Sequence, residues 1–185
     1  MKNCRCIFCP ITRRFDVMSI RNSETYDLII RRGRISDVPV IAGFIRELAE
    51  FEGISDRITF TQENLVEVLF GEKPAAETLL AIIDEEYVGF AVFYYTFSTL
   101  LGQRGLHLDD LYIKPKWRGK GFGTSIMKWL ASVAVYQNCG RFEWWCMKTN
   151  TTSLDYYSRI GASIQDDIHL LRLEGKEIAG FLRKK

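Results

Sequence analysis

The spacing of apolar residues in the first half of the chain predicts one strand followed by two helices. The β-rich run from Asp27 to Arg32 is typical of a strand. Ser36–Pro39 then reads as a helix start, a side-chain cap followed by a proline in the first turn, and apolar residues recur at helical spacing until Gly53. A second helix is expected from Thr61 to Gly71.

The second half of the pattern predicts further strands, which complete the sheet, and two more helices. The expected elements are a hairpin of Thr78–Ile83 and Tyr87–Phe97, a strand Leu106–Ile113, a helix from Phe122 with Ile126, Leu130 and Ala134 on one stripe, a strand Arg141–Lys148, a short helix Thr151–Arg159 and a last hairpin after Ala162. The order β-α-α-β-β-β-α-β-α-β-β predicts a mixed α/β single domain with one central sheet.

Residues 1–26 differ from the rest, and we expect them to form a flexible N-terminal extension to a domain spanning 27–185. The segment is basic before Asp16 and shows neither a strand nor a helix period. Cys4, Cys6 and Cys9 suggest a zinc site, but no fourth Cys or His lies near them in sequence, so a mobile tail is the preferred interpretation. Met18 is an alternative start of the chain.

Charge and cysteine content limit which binding partners and which cellular compartment are expected. The formal net charge of the 185 residues is +2, which gives no basic surface of the kind that binds nucleic acid or a membrane, and no apolar run approaches the length of a membrane span. Five cysteines without a secretory leader favour a reducing compartment. A cytoplasmic protein without nucleic-acid or membrane partners is expected.

The most informative motif is a basic, glycine-dense loop between a predicted strand and a predicted helix, Lys114 to Gly123. Backbone amides at a helix N-terminus attract phosphate, and glycines let it approach closely. The spacing fits neither the Walker loop nor the dinucleotide fingerprint, which needs a third glycine where Thr124 stands. Arg118-x-x-Gly121-x-Gly123 in this position resembles the coenzyme A pyrophosphate loop of the GNAT acetyltransferases.

The resemblance extends from about Leu28 to about Leu182 and is greatest for the diamine and thialysine acetyltransferase branch of that family. The segments that carry it are Glu47–Glu52, Phe70–Glu72, Gly89–Tyr95, Leu108–Ile113 and Asp155–Ala162. It implies the GNAT fold, acetyl-CoA as cosubstrate, no metal, and a homodimer.

The resemblance also implies a cosubstrate site. Backbone amides of the strand end accept the thioester, the loop holds the pyrophosphate, and Tyr157 gives a proton to the departing thiolate. Asn150 to Ser153 line the coenzyme. The implied residues are Leu111, Tyr112, Ile113, Arg118, Gly119, Lys120, Gly121, Phe122, Gly123, Thr124, Asn150, Thr151, Thr152, Ser153 and Tyr157.

For the acceptor amine, the resemblance favours Asp109, where relatives usually have glutamate, as the catalytic carboxylate that anchors the ammonium and relays its proton through water. Strand alternation predicts that Asp109 and Asp110 point to opposite faces, so that only one meets the substrate. Glu52 would hold a distal positive charge beside Phe51. Of the tryptophans at 144 and 145, one is expected in the core and one beside the acceptor, and Trp144 is chosen for the acceptor site. His107 and His169 are predicted to be structural.

Three functions are therefore compared. The first is direct acetylation of a small primary amine, with a diamine, a polyamine or a thialysine- or lysine-like amino acid as acceptor. The second keeps the chemistry but acts on protein N-termini or lysines. The third is a coenzyme A-binding module without catalysis.

Overall fold

The computed structural model describes residues 16–21 and 26–183, which fall into two compact units, one up to Trp145 and one from Cys146. The first unit contains the strands β1 Val17–Arg21, β2 Asp27–Arg32, β3 Glu77–Ile83, β4 Glu86–Ser98, β5 Gln103–Ile113 and β6 Arg141–Trp144, and the helices α1 Val38–Glu52, α2 Gln62–Phe70 and α3 Phe122–Tyr136. The second contains α4 Thr151–Arg159 and α5 Lys176–Phe181.

The six strands form one mixed sheet in the order β1-β2-β3-β4-β5-β6. Neighbours are antiparallel except for β5 and β6, which run parallel from Gly105 opposite Arg141 to Leu108 opposite Trp144. A parallel pair needs a crossover connection, and α3 provides it. The mixed α/β class and the central sheet are as predicted.

Helices cover both faces of this sheet, so that a hydrophobic core lies on each side of it. Phe44 of α1 stacks on Phe90 of β4 with ring centres 5.3 Å apart, in a buried cluster that also includes Val92. On the other face, Phe93 lies 6.1 Å from the ring of Trp129 of α3, which is fully buried. Because Val92 and Phe93 are adjacent on one strand, they serve opposite faces.

Several helix and turn boundaries were predicted correctly from local sequence signals. Thr61 caps α2, its side chain accepting a hydrogen bond from the Asn64 amide at 3.2 Å. The β3–β4 turn holds Asp84 and Glu85 at φ +46° and +65°, the left-handed pair that a two-residue hairpin requires. The predicted stripe of α3 is buried.

The start of α1 is in place, but the predicted side-chain cap is wrong. The Asp37 side chain makes no cap hydrogen bond to α1. Its carboxylate accepts two hydrogen bonds from the guanidinium of Arg31, at 2.6 and 2.9 Å, one from Tyr87 and one from the Arg34 amide. A charged, bidentate partner outcompetes a neutral amide for a carboxylate.

Strand β1 lies in the segment for which the sequence predicted no strand. It pairs antiparallel with β2, from Val17 opposite Arg31 to Arg21 opposite Asp27. Its pairing comes from the exposed edge of β2 rather than from its own pattern. Residues 1–15 and 22–25 of the predicted extension, with Cys4, Cys6 and Cys9, lie outside the described residues.

Two predictions about the last third were wrong. Strand β6 ends at Trp144, four residues earlier than predicted, and the hairpin expected after Ala162 is absent from residues 162–183, which hold α5 instead. The pattern of that segment is apolar enough for strands, but a strand also needs a partner. Within the described ranges, no helix is both long and apolar enough to span a bilayer.

Candidate functional site

The glycine loop has the backbone geometry of an anion-binding helix start. It follows β5, passes through a 3-10 turn at Pro115–Trp117, and enters α3 through Gly119 and Gly121, whose φ angles are +74° and +83°. Both are left-handed conformations in which a side chain is strained. Gly121 is the N-cap residue of α3 and makes no side-chain cap, so the first-turn amides of the helix, from Phe122 to Thr124, lack an intrahelical acceptor.

The space around Gly123 is open at this helix start. The φ angle of this glycine is not positive, and a Cβ atom there would approach only Ile113, at an ordinary contact distance of 3.9 Å. Neither backbone strain nor protein packing therefore requires a glycine at this position. A pyrophosphate brought against the helix amides would require one.

Basic residues occupy every second position from Lys114 to Lys120, and all four contact protein groups. Lys114 Nζ lies 3.8 Å from a carboxylate oxygen of Glu86. Lys116 donates to Glu86 at 2.9 Å. Arg118 donates from Nε to the Ile113 carbonyl at 2.8 Å, and its guanidinium lies 4.3 Å from the ring centre of Phe51. Lys120 donates to the hydroxyl of Tyr26 at 3.3 Å. These contacts favour the backbone amides as the main phosphate ligands, with Arg118 holding the loop to the strand end.

The strand end that precedes the loop has one paired edge. Leu111, Tyr112 and Ile113 pair with Ala91, Phe90 and Gly89 of β4. On the other side β6 ends at Trp144, opposite Leu108, so it does not pair with Leu111–Ile113. Unpaired peptide groups at a strand edge can bind an extended ligand such as a pantetheine arm.

A β-bulge lies beside this point and changes the predicted geometry of the acids. Val92 pairs with Asp110 and Phe93 with Leu108, so Asp109 is an extra residue between two regular pairs. A bulge interrupts the alternation of side chains. The prediction that only one of the two aspartates faces the substrate relied on that alternation, and the bulge removes its basis.

The carboxylates of Glu52 and Asp109 lie close enough to Asp110 to affect its ionisation. Asp110 is half-buried, and burial, followed by the negative charges of Asp109 and Glu52, raises its pKa from 3.8 to about 7. Burial also raises the pKa of Glu52, the last residue of α1. Asp109 itself is exposed. The sequence favoured Asp109 as the catalytic carboxylate and gave no reason to choose Asp110. Only the folded environment makes Asp110 titrate near neutral pH.

Aromatic groups border this acidic cluster. Phe51 is 55% exposed at the end of α1. Trp145 lies against His107, with ring centres 4.8 Å apart, while Trp144 packs 4.9 Å from Phe142. His107 is buried, and burial lowers its pKa although the charge of Asp109 opposes the shift. The role of Trp144 beside the acceptor stays a prediction.

The remaining predicted residues belong to the second unit. Asn150 caps α4, its Oδ1 accepting from the Ser153 amide at 3.2 Å, and Thr151 and Thr152 are exposed. Burial, with smaller contributions from Cys146 and Tyr156, raises the pKa of Tyr157 to about 12. A phenol with this pKa is protonated at neutral pH, so it has a proton to donate, and the shift makes it a weaker acid than an ordinary tyrosine.

Comparison with known proteins assigns the chain to a family. Residues 44–162 match the Acetyltransferase (GNAT) family. The thialysine N-epsilon-acetyltransferase of Sus scrofa is 34% identical over 167 residues, covering 83% of this chain and 98% of the relative. The spermidine/spermine N(1)-acetyltransferase-like protein 1 of Homo sapiens is 30% identical over 159 residues, covering 80% of this chain and 23% of that protein.

A solved structure agrees with these matches. An integron cassette protein from the mobile metagenome of V. cholerae superposes with a TM-score of 0.71 at 25% identity, over 85% of this chain and 98% of that one. The glycine loop, the end of β5–β6 pairing at Leu108 and the sequence matches lead to one conclusion. The chain belongs to the GNAT acetyltransferase family, whose members transfer the acetyl group of acetyl-CoA to an amine.

Proposed function

We propose that this enzyme transfers the acetyl group of acetyl-CoA directly to a primary amine of a small cationic acceptor, either a diamine or polyamine or a thialysine- or lysine-like amino acid. The observation that carries the proposal is the group of three carboxylates at the bulge, Glu52, Asp109 and Asp110, beside the unpaired edge of β5. Two relatives are named for thialysine and for spermidine or spermine.

In the proposed reaction, the acceptor arrives as an ammonium ion and is bound by Glu52 and Asp109. It must lose a proton before its nitrogen can attack a carbonyl carbon. Asp110 takes that proton, because a carboxylate with a pKa of about 7 is ionised in half of the molecules at neutral pH and binds a proton well. This assignment gives Asp109 the binding role and moves general-base catalysis to its neighbour.

The thioester would lie along Leu111–Ile113, where backbone amides stabilise the negative charge that develops on the carbonyl oxygen. The amides of Phe122 to Thr124 would hold the pyrophosphate. When the carbon–sulfur bond breaks, the Tyr157 hydroxyl would give its proton to the thiolate. Asn150 to Ser153 keep the cosubstrate-binding role that the family resemblance implies.

A thiol-release assay tests the proposal. Wild-type protein is given acetyl-CoA with putrescine, spermidine, thialysine, lysine or a basic peptide, in parallel with Asp110→Asn, Tyr157→Phe and a control variant, Asp56→Asn, that changes an exposed acid. We expect turnover of one small-amine class and loss of turnover only in the first two variants. Faster turnover of the peptide would favour the protein-acetylating alternative. Coenzyme binding without thiol release on any acceptor would favour a binding module.

We also propose that the enzyme is a cytoplasmic homodimer. Support for the dimer comes from the C-terminal segment, in which large apolar side chains are exposed: Ile164, Ile168, Leu170, Leu171, Leu173, Ile178, Phe181 and Leu182. Monomeric proteins rarely leave so many neighbouring apolar groups in water. Sedimentation analysis tests this: a dimer is expected for the wild type and a monomer for Leu171→Glu, while a monomeric wild type would refute it.

A further inference from the structure

Tyr26 contacts the glycine loop from a distant part of the chain. It directly precedes β2, yet its ring lies edge-on to Trp117, with centres 5.4 Å apart, and 6.3 Å from the ring of Phe122. Its hydroxyl accepts a hydrogen bond from Lys120 at 3.3 Å. The loop and the start of β2 therefore form one cluster.

The Lys120 ammonium is the centre of that cluster. It lies 4.8 Å from the ring centre of Tyr26 and 5.2 Å from that of Trp117, close enough to both for cation–π attraction. The side chain is half-buried, so these contacts are partly shielded from water. The ammonium is thus held by two aromatic faces and one hydroxyl.

The position of Lys120 in the loop gives this contact a consequence for binding. Glycines with positive φ flank it on both sides, at 119 and 121. Glycines have the largest conformational freedom in an unconstrained chain, so a loop of this composition loses much entropy when a ligand orders it. A contact that fixes the residue between the glycines lowers that cost before the ligand arrives.

We propose that Tyr26 is a positioning residue for cosubstrate binding, which acts through Lys120 to hold the glycine loop ready for the pyrophosphate. The inference rests on the proposed use of acetyl-CoA. It adds that a residue outside the loop, at the start of β2, sets the affinity for the nucleotide half of the cosubstrate. The thioester and the acceptor amine are not affected.

The test measures binding of coenzyme A to the full chain by calorimetry, without any acceptor. Tyr26→Phe removes only the hydroxyl, and we expect it to weaken binding about fivefold, which is the net contribution of a typical hydrogen bond. In a Lys120→Met background the same change should have no further effect. Tyr136→Phe, which removes a hydroxyl from an exposed tyrosine at the end of α3, is the matched control and should bind like the wild type.

A second measurement separates a loop effect from a general one. S-acetylpantetheine carries the thioester but no pyrophosphate, so Tyr26→Phe should turn it over at the wild-type rate, with an unchanged urea midpoint. Equal affinity of wild type and Tyr26→Phe for coenzyme A, a further loss in the Lys120→Met background, or an equal loss with S-acetylpantetheine would each overturn the inference. A wild type that does not bind coenzyme A would refute the proposed function itself, and this inference with it.

Discussion

Replacing Asp110 with asparagine should lower activity and raise stability, and the two effects share one cause. The fold holds this carboxyl half-buried beside Asp109 and Glu52, which raises its pKa from 3.8 to about 7. That rise corresponds to at most roughly 4 kcal/mol against the charged form in the folded state. In the proposed mechanism, the ionised Asp110 carboxylate takes a proton from the amine, so activity requires the charged form despite this cost.

The sign of the pH dependence follows from proton binding. Between the unfolded pKa near 3.8 and the folded pKa near 7, the folded protein binds more protons at Asp110 than the unfolded chain, so this group destabilises the fold increasingly as pH rises to about 7. Asparagine cannot ionise. Asp110→Asn should therefore be more stable than wild type at pH 8, by up to a few kcal/mol, and the difference should shrink toward pH 4.

Activity should change in the opposite direction. In wild type, kcat/KM should rise about tenfold per pH unit below the folded pKa and level off above it, since the base must be ionised. The variant should lose about 100-fold or more of kcat, and the acidic limb of its pH profile should disappear. Thiol release from about pH 5 to pH 9, with urea denaturation at both ends, measures both effects.

One pattern of results would refute the reasoning. If Asp110→Asn keeps wild-type activity with an unchanged acidic limb, Asp110 is not the base. If it is no more stable than wild type at pH 8, the carboxyl does not bear the electrostatic cost that its burial implies. Asp56→Asn should change neither quantity, and Asp109→Asn should raise the acceptor KM more than it lowers kcat.

Three further predictions follow from single residues. Gly123→Val should raise the KM for acetyl-CoA more than tenfold with an unchanged melting temperature, because its Cβ fills ligand space and not protein space; an unchanged KM would exclude this helix start as the phosphate site. Tyr157→Phe should lower kcat by about 10- to 100-fold and leave coenzyme affinity intact; wild-type turnover would remove the proposed proton donor. Asp37→Asn should destabilise the fold by about 3 kcal/mol, because it leaves Arg31 partly buried without its charge partner. Since Arg31 lowers the pKa of Asp37, this contribution is present above the unfolded pKa and lost as pH falls through the folded value. A urea midpoint independent of this substitution at pH 7 would contradict the ion-pair argument.

Much of the fold was predictable because its signals are local. Thr61 caps a helix by bonding an amide three residues away, and the stripe of α3 follows from the helical period alone. The glycine loop was recognisable for the same reason. Its glycines, basic residues and following helix are contiguous in sequence, and the phosphate-binding property resides in that short segment.

The errors fall where contacts between elements of the fold decide the outcome. Strand β1 forms because the edge of β2 accepts it, and the Asp37 side chain binds Arg31 instead of capping α1. The C-terminal segment has strand-like residues but no partner strand within residues 162–183. Pairing and ion-pair choice depend on which groups the fold brings together, and a linear pattern does not contain that information.

The sequence by itself determined the family, the strand–loop–helix segment proposed to bind the cosubstrate, and the acids proposed to bind the acceptor. Only the tertiary structure decided which acid titrates near neutral pH, because the bulge at Asp109 and the end of α1 bring Asp109 and Glu52 into the electrostatic environment of Asp110. The tertiary structure also brings Tyr26 into contact with the glycine loop. A pKa and a long-range contact are properties of surroundings, and surroundings exist only once the chain has folded.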